Sequence, residues 1–280
     1  MSIRLRRKKN DAEVVLADIL GDAAVPTFPA AVVKTLETLR AEDTSASDVA
    51  DALSVDPGLS VRLLKLVNSA EFSPARPVSN IDHAVAIAGF GAVESLVLSA
   101  GVRSALPSVS VEGFDQSRFW LASGRRATTA RAIAGVLHPA TASLSFTAGL
   151  LQDMAIPMLA AARDDYRKVL AAWHDGLGQL HALERASLGW GHDEVGGLLC
   201  DAWDLPSGLR DAIAGHNDST ADDVPVAVRL VAPLREDEDP TVTETIIDVM
   251  WNTYDVPVEH STELIEFAAT QAIEVAAMFT

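Results

Sequence analysis

Apolar positions recur three and four residues apart along most of the chain, the spacing of one helix face. No stretch alternates with a period of two for long enough to make a strand. The pattern predicts helices over Asp11–Leu20, stopped by Gly21, Pro26 and Pro29, over Ala30–Leu39, and over Thr44–Leu53 with Ser45 or Ser47 as cap. Asp56 and Pro57 open the next one, with Pro57 at the first helical position, where its missing N–H costs nothing. Its stripe is Leu59, Leu63, Leu66 and Ala70, widened by Leu64 and Val67. Ser60, Arg62, Lys65 and Ser69 stay outside it. The segment Ser73-Pro74-Ala75-Arg76-Pro77 breaks the helix, Ser79 opens another with Asp82 three residues on, and Gly89 and Gly91 end it before Ala92–Val102.

Leu106 to Gly113 reads as a break between two helical lobes. Beyond it the pattern predicts Arg118–Leu137, ended by His138-Pro139, and Ser143–Ala162, kinked or ended at Pro157. Asp165–Asp175, Leu180–Leu188, His192–Trp203, Ser207–His216, Thr241–Tyr254 and Ser261–Met278 follow. The class is all-α, a two-lobed helical bundle. The lobes are expected over residues 11–107 and 114–280, with one shared core because the linkers are short.

Composition agrees with close-packed helices: 49% of residues are apolar but only 5% aromatic, so Ala, Leu and Val build the core. A net charge of -17 argues against a nucleic-acid partner, whose phosphates need cations. Arg4, Arg6, Arg7, Lys8 and Lys9 crowd the first ten residues, which are expected to form a disordered, solvated tail and not a signal peptide. The longest stretch free of charged residues, Ala132–Leu151, holds His138, Pro139 and several hydroxyls, so no membrane span is expected. Cys200 is the one cysteine, which excludes an internal disulfide and fits a cytoplasmic setting; it is expected to be a buried, inert thiol.

The order Asp56-Pro57-x-Leu59, an apolar helix ending Val67-Asn68-Ser69-Ala70-x-Phe72, Arg76-Pro77-Val78-Ser79 and an apolar helix ending in Gly resembles the HDOD domain. That bacterial signalling module is related to the HD superfamily of metal-dependent phosphohydrolases. Gly149-Leu150-Leu151-Gln152-Asp153, Gly191-His192 with Gly196, and Trp203-Asp204-Leu205-Pro206 extend the resemblance over residues 24–216.

The resemblance implies a metal site that this chain has largely lost. HD hydrolases use a His, an adjacent His-Asp pair and a distal Asp to hold an ion that turns bound water into hydroxide. Here the first His falls near Ala122, the pair reads Gln152-Asp153, and the distal Asp falls near Ala232. His192 matches a His of the multi-His relatives, and His216-Asn217 keeps only the first member of a His-His pair. Asp153, His192 and His216 remain as ligands, so no metal and no other cofactor is expected. These residues can be a hydrogen-bonded relic, or the lining of a pocket for a nucleotide-like anion, toward which Arg125, Arg126 or Arg131 would have to turn from an otherwise solvated face. The one literal His-Asp pair, His192-Asp193, sits in the wrong motif, and Asp193 and Glu194 are explained by the helix dipole.

The resemblance implies a non-catalytic regulatory domain that contacts another signalling protein. Arg62, Lys65, Asn68, Ser69, Phe72 and Arg76 are the candidate interaction surface, with Asn68 and Arg76 alternatively bonding to loop carbonyls. Two other readings stand beside it. One is a degenerate phosphohydrolase acting on a nucleotide or cyclic nucleotide. The other is a helix–turn–helix over residues 47–65, opposed by Asp48, Asp51 and Asp56, which would face phosphates.

Overall fold

The computed structural model describes residues 2–21, 23–69, 72, 74–111, 113–235 and 239–279, with the backbone alone for residues 2–10. Among these the only β pairing is an isolated bridge between Val111 and Phe114. The first part of the chain forms α1 (Ser2–Leu20), α2 (Ala30–Leu39), α3 (Ala46–Ser54), α4 (Pro57–Val67) and α5 (Ile81–Ala105). The second forms α6 (Gln116–Leu137), α7 (Ala142–Leu151), α8 (Ala155–Ala162), α9 (Asp164–His174) and α10 (Leu180–Leu188). It continues with α11 (His192–Ala202), α12 (Ser207–Ala214), α13 (Val226–Val231), α14 (Pro240–Tyr254) and α15 (Val258–Ala276).

Where local chemistry is strong, the elements start as expected. Ser45 and Asp48 form a reciprocal capping box at α3, and the Asp56 carboxylate accepts from the N–H groups of Gly58 and Leu59. Four expectations need correction. Asn80, not Ser79, caps α5, accepting from His83 N. The Ser143–Ala162 segment breaks at residues 152–154, and Pro157 lies in the first turn of α8, where its missing N–H is harmless. The break expected at Gly89 is a kink: Gly89 adopts φ 73°, a left-handed conformation, and α5 resumes beyond it. Finally, α1 is helical from Ser2, through the basic segment expected to be disordered. Its second half is anchored by Ala12, Leu16, Ile19 and Leu20, all buried, and an anchored helix propagates cheaply.

Helices α2 to α5 pack on one another, and α6 forms the axis of the second lobe between α7 and α15. Backbones approach closely there. A Cβ at Gly149 would lie 2.8 Å from Arg126 O, and one at Gly124 would lie 2.7 Å from Ala272 O. Residues 11–20 of α1 fall within the span expected for the first lobe, but α1 packs on α11 of the second. Arg163 Nη1 ties it there by donating to Ile19 O at 2.6 Å. One continuous apolar cluster runs from Leu16 through Leu63, Val97 and Leu150 to Phe279, so the lobes share a core. Ala130, Ile133, Val231, Met250 and Ile265 form a second, smaller cluster under α13 and α14.

The segments Ile81–Ala105 and Pro139–Ala162 are long and apolar enough to cross a membrane by length and composition. The first is kinked at Gly89, the second is broken at 152–154, and more than half of each apolar window is packed inside the protein.

Candidate functional site

Five separate pieces of chain meet in a mostly buried cluster in the second lobe, with Arg185 exposed and Asn217 half-buried at its edge. Ala122 and Arg126 lie one turn apart on the same face of α6. Gln152 and Asp153 occupy the turn between α7 and α8, where the break in the helix presents Asp153 to the interior. Glu184 and Arg185 come from α10, His192 and Asp193 from the first turn of α11, and His216 and Asn217 from the turn after α12.

Asp153 Oδ1 lies 3.3 Å from His192 Nε2 and 3.4 Å from His216 Nε2, and the two Nε2 atoms are 3.3 Å apart. The far side of each ring is fixed. His192 Nδ1 donates to Glu184 Oε2 at 2.6 Å, and His216 Nδ1 donates to Ile213 O at 2.7 Å. Glu184 is itself held by Tyr166, whose hydroxyl donates to Oε1 at 2.7 Å, and by His192 N at 2.9 Å. Three ligand atoms therefore converge with their orienting partners in place, the usual build of a metal site. Ligands at about 2.1 Å from a tetrahedral ion stand about 3.4 Å apart. The donor set thus fits a single divalent ion by spacing and chemistry, although the loss of ligands at Ala122, Gln152 and Ala232 led us to expect none.

Two further groups close on the same three atoms. Asn217 Nδ2 lies 2.9 Å from His216 Nε2, 3.3 Å from His192 Nε2 and 3.3 Å from Asp193 Oδ2. The Asp193 carboxylate and the His216 Nε2 lone pair both accept, which identifies this amide atom as the nitrogen. Arg126 Nη1 sits 2.9 Å from Asp153 Oδ2, an ion pair not aligned as a hydrogen bond, with both side chains buried.

The electrostatics follow from these contacts. Burial favours the neutral Asp153 carboxyl, but the Arg126 guanidinium and the two imidazoles outweigh it and hold the group well below the usual carboxylate range. Burial likewise disfavours a charged His192, yet Glu184 and Asp153 overcome it and raise the imidazole pKa to about 10. A proton on His192 Nε2 then points at Asp153 Oδ1, doing what a cation would do there.

Several expectations change at the site. Asp193 is more than a dipole partner: it is buried, and Arg185 Nη2 donates to both of its oxygens at 3.0 and 2.9 Å. Arg125 and Arg126 are buried and Arg131 half-buried, not solvated. Both polar atoms of Gln152 are buried without a hydrogen-bond partner. Ala232 lines a cleft of about 420 Å3 together with His216 and Asn217. On the other side, Ala122, Arg126 and Asp153 line a cleft of about 810 Å3 with Arg118, Trp173 and Arg235. Glu184 was not singled out from the sequence, although it carried a signal: Leu180, Glu184 and Leu188 share one stripe of α10, an acid on an apolar face.

The candidate interaction residues are divided in role. Asn68 is a clasp: Nδ2 donates to Leu64 O at 2.7 Å and Val78 O at 2.8 Å, while Oδ1 accepts from Val78 N at 2.8 Å. Arg62 is half-buried over the Phe279 ring, 5.6 Å from its centroid, and burial lowers its pKa. The Ser69 hydroxyl is buried without a partner, and Phe72 faces a cavity between the lobes. Lys65 and Arg76 are exposed. Cys200 is buried, and burial pushes its thiol well up, in line with an inert group. Ser73, part of the Pro-rich break, lies outside the described residues.

The family model for the HDOD domain matches residues 25–219. The chain belongs to the HDOD domain family. A Shewanella amazonensis structure provisionally named a phosphohydrolase is 25% identical, with a TM-score of 0.72 over 95% of this chain and 98% of that one. A Marinobacter aquaeolei structure provisionally named a signal transduction protein is 18% identical, with a TM-score of 0.70 over 98% of this chain and 65% of that one. An uncharacterized protein of Treponema pallidum is 25% identical over 221 residues; the match spans 77% of this chain and 42% of that protein's length.

Proposed function

We propose that this chain is a non-catalytic regulatory domain that works by contacting another signalling protein. The observation that supports this most directly is the closure of the Asp153–His192–His216 triangle by the chain itself. The Asn217 amide occupies the His216 lone pair, and the Arg126 guanidinium neutralises Asp153. A hydrolytic site needs fixed ligands and an open position for water. The resemblance puts the first ligand near Ala122, which offers only a methyl, and an amide faces the retained imidazoles. The signal-transduction name of the Marinobacter aquaeolei structure agrees with this reading at the level of the fold.

A second reading rests on the 3.3–3.4 Å triangle. Asp153, His192 and His216 would hold one divalent ion, which supplies Lewis acidity and an activated water when bound. Glu184 and the Ile213 carbonyl would keep both Nε2 lone pairs turned inward, and Arg126 would bind an anionic group beside Asp153.

Metal content of the purified, untagged protein, measured alongside hydrolysis of p-nitrophenyl phosphate and nucleotides, separates the two. The regulatory reading expects less than about a tenth of an equivalent of Fe, Mn, Zn, Ni or Co and no hydrolysis. Stoichiometric metal together with phosphate release, both lost in Asp153→Ala, would overturn it.

A further inference from the structure

Asn217 follows His216 in the turn after α12, and its amide nitrogen meets two acceptors. His216 Nε2 lies at 2.9 Å and Asp193 Oδ2 at 3.3 Å, one for each N–H of the amide. The His216 ring donates from Nδ1 to Ile213 O, so its Nε2 carries the lone pair with which it would hold an ion. An amide nitrogen has donors and no available lone pair, so it takes up this imidazole without replacing it as a ligand. It also stands in the way. Asn217 Nδ2 is 2.9 and 3.3 Å from the two imidazole Nε2 atoms, close to the ~3.4 Å between neighbouring ligands of one ion.

The orientation of the amide decides its effect, because a half-turn about its last side-chain bond exchanges nitrogen for oxygen. An oxygen turned inward would leave the His216 lone pair free and would present lone pairs of its own. Asp193 opposes that turn, since the amide oxygen would then face the carboxylate, acceptor against acceptor. The carboxylate is held in place. It is buried, Arg185 Nη2 donates to both of its oxygens at 3.0 and 2.9 Å, and Glu194 N donates to Oδ1 at 2.9 Å.

We propose that Asp193 locks the Asn217 amide with its nitrogen inward, and that this lock keeps metal out of the Asp153–His192–His216 triangle. The inference rests on the closed cluster of the regulatory reading and deepens it by assigning the closure to two residues. It carries a sign that simple electrostatics does not. Removing a nearby carboxylate ordinarily weakens cation binding; removing the Asp193 charge strengthens it here by releasing the amide.

The test is calorimetric titration of the chelator-treated full chain with Zn2+ at a single pH, on variants that unfold cooperatively in urea. Asn217→Ala frees the His216 lone pair and should bind one Zn2+ about tenfold more tightly than the unaltered chain; Asn217→Gly serves if alanine prevents folding. Asp193→Asn can donate to the Asn217 oxygen, allows the amide to turn, and should shift the affinity in the same direction. Both gains should vanish when Asp153→Ala is added. The proposal is overturned by unchanged affinity in the Asn217 variant, by weaker binding in Asp193→Asn, or by a gain that survives Asp153→Ala. Hydrolysis of p-nitrophenyl phosphate by the zinc-loaded chain would overturn the regulatory reading instead, and leaves these affinity ratios to decide the lock.

Discussion

The segment from Asp56 to Asn80 and the cluster around Asp153 are both built from polar residues in distinctive motifs, but they use their polar atoms differently. In the first, the caps and the clasp hold nearby backbone: Asp56 holds the N–H groups of Gly58 and Leu59, Asn68 holds Leu64 and Val78, and Asn80 holds His83. In the second, side chain meets side chain across α6, α9, α10, α11 and two turns, and partners lie up to 63 residues apart, as Asp153 and His216 do. A distinctive motif can thus be a folding device. Convergence of buried ionisable groups from separate elements marks chemistry, retained or inherited.

The comparison can be broken most forcefully at its buried end. Asp153→Ala leaves the Arg126 and His192 charges facing each other without their carboxylate, and is expected to cost about 3–5 kcal/mol in urea unfolding. A loss below about 1 kcal/mol would mean that the cluster is not an electrostatic unit. Next comes the clasp. Asn68→Ala removes three hydrogen bonds and leaves Val78 groups unpaired, for an expected loss of about 2–3 kcal/mol with no effect on metal content.

A pH dependence sharpens the contrast further. His192 has its pKa raised to about 10 in the folded protein against 6.5 in the unfolded chain, so the folded state holds an extra proton between these values. Its contribution is fully present below about pH 6.5 and is lost as pH rises toward 10, with a slope of up to about 1.4 kcal/mol per pH unit. Chelator-treated protein should lose stability over that window, and His192→Gln should flatten the slope; an unchanged slope would place the proton elsewhere. The smallest effects belong to Lys65 and Arg76, which are exposed: alanine at either is expected to change stability by less than about 0.5 kcal/mol. A larger loss at either position would extend the structural role of Asn68 to the whole motif.

The sequence was most legible where the structure is decided within one turn. Ala30–Leu39 and Leu180–Leu188 have the bounds that periodicity predicts, Asp56 is the cap it is expected to be, and of the two candidates Ser45 and Ser47 it is Ser45 that caps α3. It was misleading where a residue's meaning depends on register. Pro157 breaks a helix in the middle but not in a first turn, and the place of that turn is set by the break at residues 152–154. Residues 2–10 carry a charge run typical of solvated tails, yet they extend a helix nucleated by burial of Leu16 and Leu20 against α11.

The sequence by itself determined an all-helical HDOD domain and the identities of Asp153, His192, His216 and Asn217, because helix periodicity, caps and motif order are local properties. Tertiary structure alone decided that Glu184, Tyr166 and Arg126 join them, that Asp193 is buried and paired, and that a cavity opens between the lobes. These depend on which faces of separate helices meet, and side chains far apart along the chain acquire their charge state and partners only when packing excludes water between them.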